Sequence, residues 1–306
     1  AHADLQKVLA TTFHRRLRAF APTIDKLAEA HAERFAKSGE NDLVEHFATP
    51  LSLATIGQLI GSGTVETTRL KAWTDALFYL FSIIPSESVR SQVDDALTTF
   101  RRYFNDLLQR RRKDPQEDWI SDLAGLPDDQ RPSDATLVDN LMLFFADGVE
   151  NVDSGIANAI WLLADHPGCW ERISACSEMI PAAVEECLRF ESPAQFIGRC
   201  ARERLTIEGV EIPTGAGVLL MLAAANRDPD VFAEPDVFRI DRDPNPHLSF
   251  GKGRHACVGG TLVRLEMAAA IRALTQVFPT LTLQERAPEW QSRLGHRWMS
   301  ALHLAS

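Results

Sequence analysis

At 306 residues, with 45% hydrophobic and 24% charged side chains, the chain is long enough to bury a large core and too apolar to be disordered. A net charge of −10 without any basic block excludes nucleic acid as the main partner. No apolar run approaches the roughly 18 residues of a membrane span, and there is no signal peptide; the start at Ala1 rather than Met leaves room for a longer N-terminal region.

Helical patterning dominates the first two thirds. Residues 3–30 read as two helices broken near Pro22, and 42–60 as another that ends at Gly61. The apolar and aromatic stretch 67–84 (Trp73, Leu77, Phe78, Leu80, Phe81) stops at Pro85. An amphipathic helix over 89–112 closes in the basic run Arg110 to Lys113, read as a solvated helix end. Ser133 is a good N-cap for a long helix through the apolar run 137–163. A further helix over 178–190 stops before Pro193. From 204 to 224, short apolar runs with turn signals at Gly209, Pro213 and Gly215 predict strands, with 218–223 the most buried. The Pro-rich stretch 226–248 reads as ordered coil, 257–278 as a final helix, and 290–306 as a hairpin-like end. The class is mainly α with a small β region, in a single domain over 1–306.

On the central helix, Asp147, Glu150, Asn151, Ser154 and Asn158 fall at i, i+3, i+4, i+7 and i+11, one polar stripe on an otherwise apolar helix. Such a stripe is either a solvent face or, on a buried helix, the lining of a functional groove; the apolar remaining faces favour the groove. Gly148 sits inside the stripe, where it costs about 1 kcal/mol relative to Ala. Glu186 and Arg189 share a helix face, which alone signals no more than a surface ion pair.

Cys169, Cys176, Cys187, Cys200 and Cys257 are odd in number and form no Cys-x-x-Cys pair, so reduced cytoplasmic thiols are expected rather than a disulfide framework or a zinc site. One cysteine stands apart. Residues 250–260 read Phe-Gly-Lys-Gly-Arg-His-Ala-Cys-Val-Gly-Gly. The glycines permit a tight turn in which backbone amides approach the sulfur, and the following helix start favours thiolate. A thiolate ringed by amides and shielded by Phe250 is a tuned metal ligand; an inert buried cysteine beside a turn is the plain alternative. By chance this pattern should arise on the order of once in a million such chains.

These residues resemble the haem-thiolate loop of the cytochrome P-450 family, soluble bacterial type, and the likeness runs along the whole chain. Glu186 and Arg189 match the family's Glu-x-x-Arg, and Arg242 its third, meander residue. The runs 224–229 (Ala-Ala-Asn-Arg-Asp-Pro) and 245–251 (Asn-Pro-His-Leu-Ser-Phe-Gly) are also similar to bacterial members. The resemblance implies haem b, with Cys257 as iron ligand in a cofactor loop including Phe250, Gly251, His255 and Gly259. It implies propionate contacts from His2, Arg199 and His255. It places Gly148, Glu150 and Asn151 on the oxygen side, and a structural triad of Glu186, Arg189 and Arg242. Pocket candidates are Phe144, Phe145, Asp147, Gln195, Phe196, Ile197, Trp298 and Met299.

Three departures stand out. The chain corresponds to the family from its helix C onward, without the first helices and part of the sheet. Gln6 replaces an arginine expected to contact a propionate. The central helix has Asn151 where the family has a proton-relaying threonine, so Glu150 and water are expected to carry protons. The implied activity is insertion of one oxygen atom from O2 into a small, largely apolar substrate by a cytoplasmic monomer. A separate ferredoxin and ferredoxin reductase would supply electrons, docking at Lys252, Arg254 and Arg264. Atypical haem-thiolate chemistry (oxidative coupling, desaturation, peroxide-driven oxidation), a non-catalytic helper and a remnant are the alternatives.

Overall fold

The computed structural model describes residues 2–63, 67–79 and 87–305. Its centre is helix α6 (Asp134–Asp165), 32 residues and so about 48 Å long. Ser133 caps it by accepting a hydrogen bond from the Thr136 amide, as its position predicts. Around it pack α2 (Thr49–Ile60), α3 (Thr67–Tyr79), α4 (Glu87–Lys113), α8 (Ile180–Phe190) and α10 (Gly260–Val277), so that most of its surface is buried. A stripe wider than one face must be apolar to be covered this way, which is what its Leu, Val, Ile and Ala residues provide.

Helix α1 (His2–Ser38) is continuous through Pro22, against the expected break. The proline removes one ladder bond and costs about 3 kcal/mol. The buried face of α1, running from Leu9, Phe13 and Leu17 to Ile24, Ala28 and Phe35, lies along α10 and outweighs that cost. A π turn (Val44–Ala48) leads into α2, and the described part of the third helix is 67–79; positions 80–86, including Leu80 and Phe81, lie outside the described residues.

The basic end of α4 is not simply solvated. Arg111 donates to Asp118 at 2.5 Å and to the Gly61 carbonyl at 2.9 Å, while Arg112 pairs with Asp134 at the start of α6. The run therefore ties α4 to the short α5 (Trp119–Ala124) and to α6. Helix α7 (Cys169–Ala175) then leads through a single 3-10 turn into α8.

The β region consists of three antiparallel pairs: β1 (Ile197–Cys200) with β4 (Gly217–Leu220), β2 (Leu205–Ile207) with β3 (Val210–Ile212), and β5 (Glu289–Trp290) with β6 (Met299–Ala301). The expectation that 218–223 is the most buried stretch does not hold. Leu219, Leu220 and Met221 are 58%, 45% and 50% exposed, because β4 pairs only with β1 among the described residues and no layer covers that side. Residues 222–225 form the one-turn α9. The coil that follows is ordered, with Phe232, Phe238, Ile240 and Arg242 all buried.

Candidate active site

The turn before α10 is built as its glycines require. Gly251 and Gly253 take φ of +65° and +79°, and the Cys257 amide donates to the Phe250 carbonyl at 2.9 Å, closing the loop. Phe250 is fixed under the Arg264 guanidinium at 4.4 Å and borders Gly260, where a Cβ would meet its ring at 3.4 Å. The amides of Gly259 and Gly260 face the Cys257 sulfur, lower its pKa and so favour thiolate. Burial is nevertheless the largest influence, and with Asp147 it raises the thiol pKa; the helix start does not reverse this. A metal reverses that order, because a coordinating thiol is deprotonated outright.

Behind the loop, Glu186 and Arg189 on α8 and Arg242 in the coil meet in the interior at 0%, 1% and 7% exposure. Arg189 grips Glu186 through two bonds of 2.7 and 2.8 Å, and Arg242 Nε reaches both carboxylate oxygens at 3.1 and 3.0 Å. The Arg239 amide and Asn245 complete the carboxylate's shell. The guanidinium groups also donate to carbonyls of Asn226, Ala233, Pro235 and Val237, fastening the coil to α8. Asn226 contributes from the same coil: its side chain binds Ser249 Oγ and the Leu248 amide.

Across from the loop, the polar stripe of α6 divides. Glu150 is buried and turned toward α3, where Lys71 bonds its two oxygens at 2.9 and 3.0 Å and Thr74 donates at 2.5 Å. Burial alone lowers the Lys71 pKa, but Glu150, Asp153 and Asp75 together outweigh it and raise it. Ser154 bonds Asp153, and Asn158 donates to the carbonyls of Glu191 and Arg297. The stripe is therefore not one groove: these groups are spoken for by packing elements. Asn151 is half-buried with its side-chain carbonyl unpartnered. Gly148 has a packing reason, since a Cβ there would meet Ile56 Cδ1 of α2 at 2.7 Å.

Asp147 alone of the stripe is open to solvent. It nonetheless lies deep in the molecule, where burial pushes its pKa up to about 6. Both facts follow if it lines an internal cleft. Cys257 shows the same pairing of exposure with desolvation, and the carboxylate raises the thiol pKa, so the two groups front one space.

The other expected residues divide as well. Ile197 at the start of β1 lies beside Gly251, at 3.5 Å from where its Cβ would be. Trp298 is fully buried with its indole N–H unpartnered; it packs edge-on to Phe78 at 4.8 Å and clusters with Ala146 next to Asp147. Met299 is buried beside it, Gln195 bonds the Ser192 carbonyl, and Phe196 fills the space over Gly295. Phe144 and Phe145 are instead core residues. Phe144 stacks on Trp119 and Phe13, while Phe145 is 0% exposed against Phe100 and Phe104. Arg199 is exposed and bonds its neighbour's carbonyl; His255 is also exposed, and the His2 side chain lies outside the described residues.

Sequence reasoning missed Lys71 and Thr74, whose pairing with Glu150 joins positions 76 and 79 residues apart. It also missed Glu266 on α10, wholly buried, with the hydroxyls of Ser52 and Thr55 on α2 as the polar groups turned toward its carboxyl. Burial pushes its pKa up to about 8. A glutamate on an apolar helix face, nine residues after the cysteine, was the available signal.

Comparison with known proteins agrees with this geometry. The Cytochrome P-450 family profile matches residues 177–296, which span the buried triad and the cysteine loop. The biotin biosynthesis cytochrome P-450 of Bacillus subtilis is 34% identical over 293 residues, covering 92% of this chain and 74% of that protein. The 6-deoxyerythronolide B hydroxylase of Saccharopolyspora erythraea is 33% identical over 92% of this chain and 69% of its own. The crystal structure of P-450BioI, in complex with acyl carrier protein ligated to hexadec-9Z-enoic acid, superposes with a TM-score of 0.91 at 32% identity, over 98% of this chain and 78% of that one. No helix among the described residues is long and apolar enough to cross a membrane.

Haem fits the residues present: an exposed sulfur with two amides turned toward it, and an apolar surface at Leu143, 42% exposed on the face of α6 that carries Asp147. With the cysteine loop, the interior triad and the long helix across the cleft all in place, the chain belongs to the cytochrome P-450 family of haem-binding monooxygenases.

Proposed function

We propose that this enzyme inserts one oxygen atom from O2 into a small, largely apolar organic substrate, using electrons from an external ferredoxin and ferredoxin reductase. The observation that carries the reading is the exposed Cys257 sulfur, with the Gly259 and Gly260 amides turned toward it and Asp147 of α6 close enough to raise its pKa. Haem bound there supplies the oxygen-activating chemistry; the chain binds, orients and shields. Cys257 would hold the haem iron through its thiolate. Arg199, His255 and His2 would take the propionates.

The chain's own contribution on the α6 side differs from the expectation that Glu150 relays protons. Both its oxygens are committed to Lys71 and Thr74, so it fixes α3 against α6 rather than serving the cleft. Asn151 presents an amide that can orient water but relays a proton poorly. Leu143 and Ile197 offer the apolar surface that a small hydrophobic substrate needs. The five unpaired thiols suit a cytoplasmic protein, and a relative named for polyketide biosynthesis suits a role in secondary metabolism.

Electron delivery needs a docking face. Lys252 and Arg254 are exposed on the outer side of the loop, whereas Arg264 is tied to Glu185 at 2.6 and 2.9 Å and drops out of the expected patch. Reversing both charges (Lys252→Glu with Arg254→Glu) should slow reduction by an acidic ferredoxin about tenfold at low salt, and high salt should mask the difference.

The test is turnover of the purified holoenzyme with two oxidant supplies. Product formed with ferredoxin, reductase and O2 supports the reading. Product formed only with hydrogen peroxide favours the peroxide-driven alternative, which the occupied Glu150 and the amide of Asn151 make the second reading.

A further inference from the structure

One charge on the cleft wall has no task so far. Asp147 and Leu143 stand one turn apart on the same face of α6, both open to solvent, while Ala146 and Val149 beside Asp147 are fully buried. No hydrogen bond or ion pair among the described residues engages the Asp147 carboxylate, and burial is the sole influence on its pKa, with no cation offsetting it. The cations of the neighbouring elements are committed elsewhere. Lys71 serves Glu150 and Asp75, Arg293 serves Asp75 and lies over Trp298, and Arg264 serves Glu185.

An ionised carboxylate on a partly apolar wall, without a partner, is a costly arrangement that a bound cation relieves and a second anion worsens. We propose that Asp147 is a specificity-determining residue, selecting substrates that carry a protonated or quaternary amine and rejecting carboxylates. This names the substrate class for the monooxygenase reading and rests on it, since haem on Cys257 confines the substrate to the space that Asp147 fronts. Polar recognition in a mostly hydrophobic pocket is achieved by few groups, and a single uncompensated charge is enough to set the sign.

The test uses holoenzyme at about pH 8, where the carboxylate is ionised, and two ligands matched in chain length: octyltrimethylammonium and octanoate. Calorimetric titration should give the cation a Kd at least about tenfold below that of the anion. Asp147→Asn keeps the shape and removes the charge, and should bring the two within about twofold; Asp147→Ala serves as the second variant. Azide, monitored by the haem absorbance, should bind both variants about tenfold tighter, while neutral imidazole should not change. Equal affinities for the two octyl ligands in the wild type, or a preference that persists in both variants, would overturn the proposal. A wild-type protein without the thiolate-type carbon monoxide band overturns the haem reading beneath it instead, so the two failures are told apart.

Discussion

The two walls of the cleft are built on different principles. The cysteine wall is made of pieces local in sequence: a turn of eleven residues, a Glu-x-x-Arg on one helix and a coil fastened by two arginines. Its central carboxylate has a full shell, Glu186 accepting from Arg189, Arg242, Arg239 and Asn245, although the Asn245 carbonyl itself lacks a partner. The α6 wall is assembled from helices far apart in the chain, and it leaves the Asn151 carbonyl and the Trp298 indole N–H unpartnered. A closed network fixes geometry, whereas open valences leave room for water and ligand. The comparison assigns stability to the first wall and selectivity to the second.

That assignment breaks most visibly at Arg242. Its removal leaves Glu186 and Arg189 buried with an incomplete shell, which costs about 3–5 kcal/mol. Arg242→Ala should give misfolded or haem-free protein, as read by soluble yield and haem content. Soluble, haem-loaded Arg242→Ala with unchanged thermal stability would show that the triad does not hold this wall.

Glu266 gives the next largest effect, with a definite sign in pH. The carboxyl titrates near 4.5 unfolded and about 8 folded. Between those values the folded state keeps a proton that the unfolded state has released, so stability falls as pH rises. Glu266→Gln should remove this dependence and gain on the wild type by roughly 2–4 kcal/mol as pH rises through that window, measured by denaturant melts at each pH. Parallel stability profiles for the two proteins would mean that the Ser52 and Thr55 hydroxyls hold the carboxyl ionised in the fold.

Gly148→Ala probes the close approach of α6 to α2. The added Cβ meets the end of the Ile56 side chain, so a loss of about 1–3 kcal/mol is expected, and Ile56→Val in the same protein should recover part of it. Asn151→Thr is the mildest. Stability should change by less than about 1 kcal/mol, while the fraction of electrons reaching product should rise or stay level, as a hydroxyl replaces an amide on the open wall. A marked drop in that fraction would make the Asn151 amide itself the group that orders water.

This contrast also explains what could be read from residues alone. Cys257, its glycines and the Glu186–Arg189 spacing are short-range patterns, so the cysteine wall was legible, and Ser133 and Gly61 marked helix limits correctly. The direction in which Glu150 points was not, because helical periodicity gives a face but not the neighbour that covers it; Lys71 decides that from another helix. Burial of 218–223 failed for the same reason: an apolar run does not reveal whether a second layer lies over it. Pro22 was misread because a local penalty was weighed without the buried face that α1 lays along α10.

The most direct measurement is the carbon monoxide difference spectrum of the reduced, haem-loaded protein beside that of Cys257→Ser. Thiolate ligation by Cys257 predicts a red-shifted Soret band in the wild type, its loss in Cys257→Ser and its retention in Cys169→Ser, whose thiol is buried away from the cleft on α7. A band that survives in Cys257→Ser, or a wild-type protein that takes up haem without it, would contradict the account.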